Sequence, residues 1–94
     1  MNYSDFLKSL SEKNTPTELN DILTALWYDA QGDWDKAHKI VQNISTPAAA
    51  HVHAYLHRKE GDDANALYWY NRAGTVFFEG SLDDEWTKLV EKFI

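Results

Sequence analysis

The amino-acid sequence predicts an all-α protein built from about six short helices. Only four of its 94 residues are glycine and two are proline, too few for the many turns of an all-β fold. Apolar residues recur three or four positions apart along successive segments, which is the spacing of one helix face. Residues that cap or terminate helices stand between these segments. Hydrophobic residues make up 44% of the chain, enough for a packed core rather than a disordered chain.

The first third of the chain contains a predicted N-terminal helix and the start of a helix hairpin. Ser4 is the expected cap of a helix over residues 4–13. The segment Thr15-Pro16-Thr17-Glu18 combines a cap, a proline at the first helical position and a capping-box glutamate. We therefore expect a first hairpin over about residues 18–45.

The predicted turns inside the hairpins follow one pattern, in which a glycine stops one helix and the next residue caps its successor. Gly32 and Asp33 do this within the first hairpin. Gly61 and Asp62 do the same within a second hairpin, expected over about residues 47–74.

A C-terminal helix is predicted over residues 82–93, with Ser81 as its cap. The connection before it contains Phe77 and Phe78, which we expect to fold back onto the core because no other segment is a candidate partner strand. The terminal helices would cover the open ends of the two hairpins, so residues 1–94 are expected to form a single domain.

The two hairpins contain an internal repeat of 29 residues. Small residues recur at Ala25 and Ala54, and the glycine-aspartate turns recur at the same separation. A second small pair, Ala37 and Ala66, follows the turns. A small residue on each helix lets two backbones approach closely, so this pattern predicts two similar helix pairs.

This pattern resembles a degenerate tetratricopeptide repeat, an antiparallel helix pair that stacks into a solenoid. The resemblance covers about residues 18–74 and departs from the family in two ways. The usual period is 34 residues, and the usual Trp and Leu positions hold Asp21 and Thr24, then Ala50 and His53. The strings His53–Asp62, Asn65–Tyr70 and Ser81–Trp86 also resemble a group of short uncharacterised bacterial proteins, a resemblance that implies no activity.

Charge and composition exclude several function classes. The net charge of −6 argues against nucleic-acid partners and anionic membrane surfaces. No apolar stretch approaches the roughly 18–20 residues of a spanning helix, and the first ten residues resemble no export signal; we expect a cytoplasmic protein. The absence of cysteine excludes disulfides, thiolate zinc sites and thiol catalysis. No nucleophile elbow or phosphate-binding loop occurs, so we expect no enzyme.

The segment 47–60 carries the first candidate site. In tetratricopeptide repeats the first helix of each pair lines a concave groove, and the resemblance places His51, Tyr55, Arg58 and Lys59 there, with Asp29 from the first pair. A cationic, aromatic face suits an acidic peptide or a carboxylate terminus. The leading hypothesis is a non-catalytic module that binds a protein or peptide without a cofactor. A merely solvated helix face and self-association are the alternatives, and Tyr68 beside Arg72 is a second candidate contact.

The opposite side of the same segment carries a second candidate site. His53, His57 and Glu60 fall on one helical stripe, and His38 from the preceding helix could join them. Two or three imidazoles and a carboxylate are ligands for a divalent metal such as zinc. The alternative function is therefore a small metal-binding protein or a metal-dependent enzyme. The competing structural interpretation pairs these histidines by hydrogen bonds with Tyr28, Asn65 or Tyr70.

Overall fold

A computed structural model describes all 94 residues as six helices without a strand, so the all-α prediction is confirmed. None of the six is long and apolar enough to cross a bilayer. The helices are α1 Tyr3–Glu12, α2 Asp21–Ala30, α3 Trp34–Gln42, α4 Pro47–Lys59, α5 Asp63–Ala73 and α6 Leu82–Phe93.

Three helices begin at the predicted caps Asp33, Asp62 and Ser81, and α4 begins in the same way at Thr46. The side chains of Asp33, Thr46, Asp62 and Ser81 each accept a hydrogen bond from the backbone N–H three residues further on. Each bond satisfies one of the N–H groups that a helix leaves unpaired in its first turn. Local sequence therefore sets where these four helices start.

The two N-terminal boundaries differ from the prediction. Asn2, not Ser4, caps α1, and Asn20 rather than Thr15 caps α2, so the first hairpin begins at Asp21. The Thr15 hydroxyl instead lies 3.1 Å from the Tyr28 hydroxyl. Asn20 accepts a hydrogen bond from the Leu23 N–H at 2.8 Å, and its amide reaches the carbonyl of Phe93 at 3.4 Å. The contact of Asn20 with the end of α6 thus favours a start of α2 at Asp21.

The two glycine-aspartate turns have the same geometry. Gly32 and Gly61 adopt φ values of +87° and +88°, in the left-handed region where a side chain is strained. Asp33 donates its N–H to the Tyr28 carbonyl at 2.9 Å, and Asp62 donates its N–H to the His57 carbonyl at 2.9 Å. The sequence repeat is therefore also a structural repeat.

Alanine residues lie where the helices of each hairpin meet. Ala25, Ala37, Ala54 and Ala66 are fully buried. Helix α4 packs most extensively against α5, and it also contacts α2, α3 and α6. Eight of its 13 residues are buried, so α4 is the central element of the molecule.

The terminal helices and the α5–α6 connection complete the core. Phe6 of α1 and Val90 of α6 belong to the same buried cluster as Leu26 and Leu56. Phe77 and Phe78 pack, partly buried, against the smaller cluster of Ala54, Ala66 and Tyr70, as expected from the sequence. Helix α6 consequently lies across a side of α4 that the hairpins leave uncovered.

Substituting Gly61 by alanine is expected to lower the free energy of unfolding by about 1 kcal/mol, because an alanine Cβ strains the left-handed conformation. No atom lies within 4 Å of the added Cβ, so the loss measures backbone strain alone. Denaturant unfolding checks this. Gly61→Asn is the control and should recover most of the loss, since asparagine tolerates this conformation; equal losses in both variants would contradict the interpretation.

Candidate functional site

Three histidines meet between α3 and α4. The Nε2 atoms of His38 and His53 lie 3.0 Å apart. The ring of His57 stacks on that of His53 with a centroid separation of 4.8 Å and lies 5.2 Å from that of His38. One ring nitrogen from each of the three histidines lies within 4.8 Å of the others. Because His38 belongs to the first hairpin and the others to the second, the cluster spans the two repeats.

Glu60 orients one of these rings. Its Oε1 atom lies 2.8 Å from Nδ1 of His57. With Nδ1 engaged, Nε2 is the nitrogen of His57 left to bind an ion. A carboxylate on the far nitrogen is the usual partner of a metal-binding histidine. Glu60, predicted as a ligand on the stripe, instead hydrogen-bonds to Nδ1 of His57 and fixes the orientation of that ring.

Two tryptophans enclose the cluster. Trp34 stacks on His38 at 4.9 Å between ring centroids, and Trp69 stacks on His53 at 3.9 Å. Burial lowers the pKa of His38 and lowers that of His53 to about 4, with the neighbouring imidazoles acting in the same direction. The rings of His38 and His53 are therefore neutral near pH 7, the protonation state that binds metals.

His53 carries an unsatisfied polar atom. Its Nδ1 is the only buried side-chain nitrogen or oxygen in the protein without a hydrogen-bond partner. The residue itself is only 4% exposed. Buried polar groups are nearly always paired, so this atom is an exception, and it is not the ring nitrogen that contacts His38, which is Nε2. The cluster is therefore not optimised as a hydrogen-bond network alone.

The hydrogen-bond partners predicted for these histidines are engaged elsewhere. Tyr28 contacts Thr15, the Asn65 side chain contacts Asp62, and Tyr70 donates its hydroxyl to Glu85. The prediction that they satisfy His53 and His57 is wrong. The histidines are hydrogen-bonded, as that interpretation expects, but to different partners: His53 to His38, and His57 to Glu60.

The dimensions of the cluster suit a transition metal. Around a tetrahedral zinc with Zn–N bonds of about 2.0–2.1 Å, ligand nitrogens are about 3.3–3.4 Å apart. The Nε2 atoms of His38 and His53 stand at 3.0 Å, and the nitrogen of His57 lies within 4.8 Å of the other two ligand atoms, so small shifts of the rings would bring all three to these distances. Three imidazoles leave a fourth coordination position for water. The residues present thus fit zinc, nickel or copper better than magnesium or calcium.

The other side of α4 differs from the exposed groove that the sequence predicts. Tyr55 is only 2% exposed and donates its hydroxyl to Oδ2 of Asp29 at 2.6 Å. Lys59 contacts Oδ1 of the same carboxylate at 2.8 Å. These three residues line a cavity of about 380 Å³ between α2, α4 and the terminal helices. Asp29 therefore pairs, within the fold, with the Tyr55 hydroxyl and the Lys59 ammonium of α4.

Arg58 is held by a second buried carboxylate. Its Nε lies 3.1 Å from Oε1 of Glu85, and its other nitrogens donate to the carbonyls of Gly80 and Ser81. Tyr70 donates to Glu85 at 2.6 Å. Burial raises the pKa of Glu85, opposed by the hydrogen bonds from Tyr70 and Arg58. The predicted solvent-facing cation at Arg58 is wrong because α6 covers it.

The role of Glu85 was missed from the sequence, where it is part of an acidic helix start. It lies three residues after Leu82 and four before Leu89, so it belongs to the apolar stripe of α6. A carboxylate on an apolar stripe, opposite a helix rich in cations, is the signal that could have revealed it.

Of the predicted contact residues, Tyr68 and Lys59 are exposed, and His51 is half-buried. Tyr68 is 52% exposed, with the Arg72 guanidinium 5.8 Å from its ring centroid. His51 is half-buried between α4 and α6, and its Nε2 lies 3.9 Å from Oε2 of Glu85. Of the predicted groove, His51 therefore faces α6 together with Arg58.

Comparisons with known proteins assign no relative to this chain. A scan of protein-family models, a search of curated proteins and a search of solved structures each find no match. The functional argument therefore depends on the geometry of the sites.

The free energy of unfolding of the metal-free protein is expected to fall as pH drops from 6.5 towards 4. Burial lowers the pKa of His51 and of His53 to about 4, while the unfolded chain titrates near 6.5. The unfolded state therefore binds more protons in this window, and each ring costs about 1.4 kcal/mol per pH unit. Denaturant unfolding in EDTA measures this. A His51→Gln/His53→Gln variant should show a shallower slope, and a slope equal to that of the wild type would contradict the assignment.

Replacing Arg58 by methionine is expected to destabilise the protein by about 3–5 kcal/mol, because it leaves Glu85 buried without its cation. Thermal and denaturant unfolding measure the loss. The double variant Arg58→Met/Glu85→Gln should recover part of it, since a neutral amide can still accept the Tyr70 hydrogen bond. Lys59→Met should cost less, because Lys59 is more exposed than Arg58; the reverse order would contradict the described network.

Proposed function

We propose that this protein binds one divalent transition-metal ion, of the kind represented by zinc, through His38, His53 and His57. The observation that carries the proposal is the convergence of three ring nitrogens, from two different hairpins, within 4.8 Å. Glu60, hydrogen-bonded to Nδ1 of His57, supports it.

The chemistry of the ligands limits which metal ions the site can bind. Neutral imidazoles without a ligating carboxylate suit zinc, nickel, copper and cobalt, and they bind manganese or magnesium weakly. Because the ligands are uncharged, the positive charge of the ion is compensated only by nearby carboxylates such as Glu60, which contacts the ring of His57. Glu60 therefore has an electrostatic as well as an orienting role in this proposal.

The surroundings of the cluster favour a structural or sensing metal ion over a catalytic one. His53 and His57 are buried, and none of the three histidines lines any of the four cavities of the protein. Substrate-processing sites are normally concave and accessible. The proposed ion connects α3 to α4 and would stabilise the packing of one hairpin on the other, either as a structural centre or as a sensor of metal availability.

The metal titration is the direct test. Zinc, nickel and manganese are titrated by calorimetry into tag-free protein, and we expect one sub-micromolar zinc site, a nickel site and only weak manganese binding. His53→Ala/His57→Ala and His38→Ala should each weaken zinc binding at least 100-fold. His51→Gln is the matched control, since it removes a histidine of α4 outside the cluster, and it should bind zinc like the wild type.

Two further measurements test whether the ion binds at the three histidines. Copper or nickel should quench the fluorescence of Trp34 and Trp69, which stack on the ligands. Saturating zinc should also raise the melting temperature, because a ligand at 100 times its dissociation constant adds about 2.7 kcal/mol of stability. Absence of zinc binding in the wild type, or equal binding in the histidine variants that remain folded, would overturn the proposal.

A further inference from the structure

The segment between α5 and α6 has no regular secondary structure, and the backbone N–H groups of its residues 76–79 pair with no other part of the chain. Residues Val76–Glu79 have no helical structure. None of their four backbone N–H groups donates a hydrogen bond within the protein. Val76 is 83% exposed, the most exposed large hydrophobic residue of the chain. An exposed row of unpaired N–H and C=O groups is a template for pairing with another extended chain.

This segment is held in place at both ends. Thr75 donates its N–H to the Tyr70 carbonyl at 3.1 Å, and Arg58 donates to the carbonyl of Gly80 at 3.1 Å. Between these points Phe77 packs on Tyr70 with a centroid separation of 5.0 Å. A partner would therefore meet a segment that is already ordered, which lowers the entropy cost of pairing.

Two adjoining cavities lie beside the segment. The larger, about 630 Å³, is lined by His51 and residues 75–79. The smaller, about 120 Å³, is lined by His51 and Phe78 together with Lys88 and Lys92 of α6. Because His51 and Phe78 line both cavities, a chain lying along the segment would reach the two lysines.

The charge in the smaller cavity is positive although the protein as a whole is acidic. Lys88 and Lys92 lie one helical turn apart and form no ion pair, whereas the buried Glu85 is already paired with Arg58. The Lys88 ammonium lies 5.3 Å from the Phe78 ring centroid. On a chain of net charge −6, two free cations in one cavity select an acidic group.

We infer that residues Val76–Glu79 bind an extended acidic peptide by adding it as a paired strand, with a carboxylate of the peptide between Lys88 and Lys92. The backbone groups of the segment supply the pairing, an apolar side chain of the peptide packs beside Val76 and Phe78, and the lysines select the acidic residue. This site lies apart from His38 and His57 and requires no metal. It moves the acidic-partner hypothesis from the buried Tyr55 and Arg58 to the junction of α4, α6 and this segment.

The test uses a pool of acetylated pentapeptides that alternate Asp or Glu with Val, Ile or Leu, and the same pool with Asn and Gln in place of the acids. Binding to the full-length protein is followed by amide signals in NMR. We expect the acidic pool alone to bind, with slowed exchange of the amides of residues 76–79. Lys88→Glu/Lys92→Glu should weaken binding at least tenfold. Lys8→Glu/Lys39→Glu makes the same change in net charge at exposed sites elsewhere and should leave binding unchanged.

Three outcomes would overturn this inference. They are no binding of the acidic pool to wild-type protein, equal loss in both lysine double variants, and binding without protection of the 76–79 amides. Protection of these amides that rises with protein concentration in the absence of peptide would instead identify a second copy of the chain as the occupant. Melting temperatures of both double variants establish that each is folded.

Discussion

Burial of helix α4 is the constraint on which the rest of the structure depends. Its polar side chains project into a protein interior on both sides, and a buried polar or charged group is costly unless it is paired. The fold meets this requirement with two buried carboxylates, Asp29 from α2 and Glu85 from α6. Each carboxylate accepts a tyrosine hydroxyl and contacts a cation of α4. The positions of α2 and α6 therefore follow from the polar residues of α4 as much as from apolar packing.

The histidine side of α4 is satisfied differently, and that difference carries the functional argument. No buried carboxylate lies among the three rings, so the imidazoles contact one another and leave Nδ1 of His53 without a partner. Asp29 and Glu85 complete their networks with cations of the protein, whereas no cation of the protein pairs with the histidine cluster. A divalent ion would supply what the opposite side of α4 obtains from Arg58 and Lys59.

The terminal helix has two consequences for recognition. It covers the side of α4 on which the resemblance to tetratricopeptide repeats places a groove, and it buries Arg58 against Glu85. It also brings Lys88 and Lys92 beside a segment that no other part of the chain pairs with. Arg58 and Lys59 of α4 are already paired with Glu85 and Asp29, so the cations beside this segment without an ion-pair partner are Lys88 and Lys92 of α6. Helix α6 therefore covers the groove predicted on α4 and contributes the lysines of the second candidate surface.

The sequence by itself determined the helices, because caps and glycine turns act within a few residues. Asp33, Thr46, Asp62 and Ser81 each bond a neighbour three positions away, and Gly32 and Gly61 adopt the conformation that their type permits. The helical stripe also placed His53 and His57 together. Only the tertiary structure decided that His38 joins them, that Tyr55 is buried and that α6 covers Arg58. These depend on contacts between residues 15 to 27 positions apart, or on which helix covers which face, and local periodicity carries no information about either.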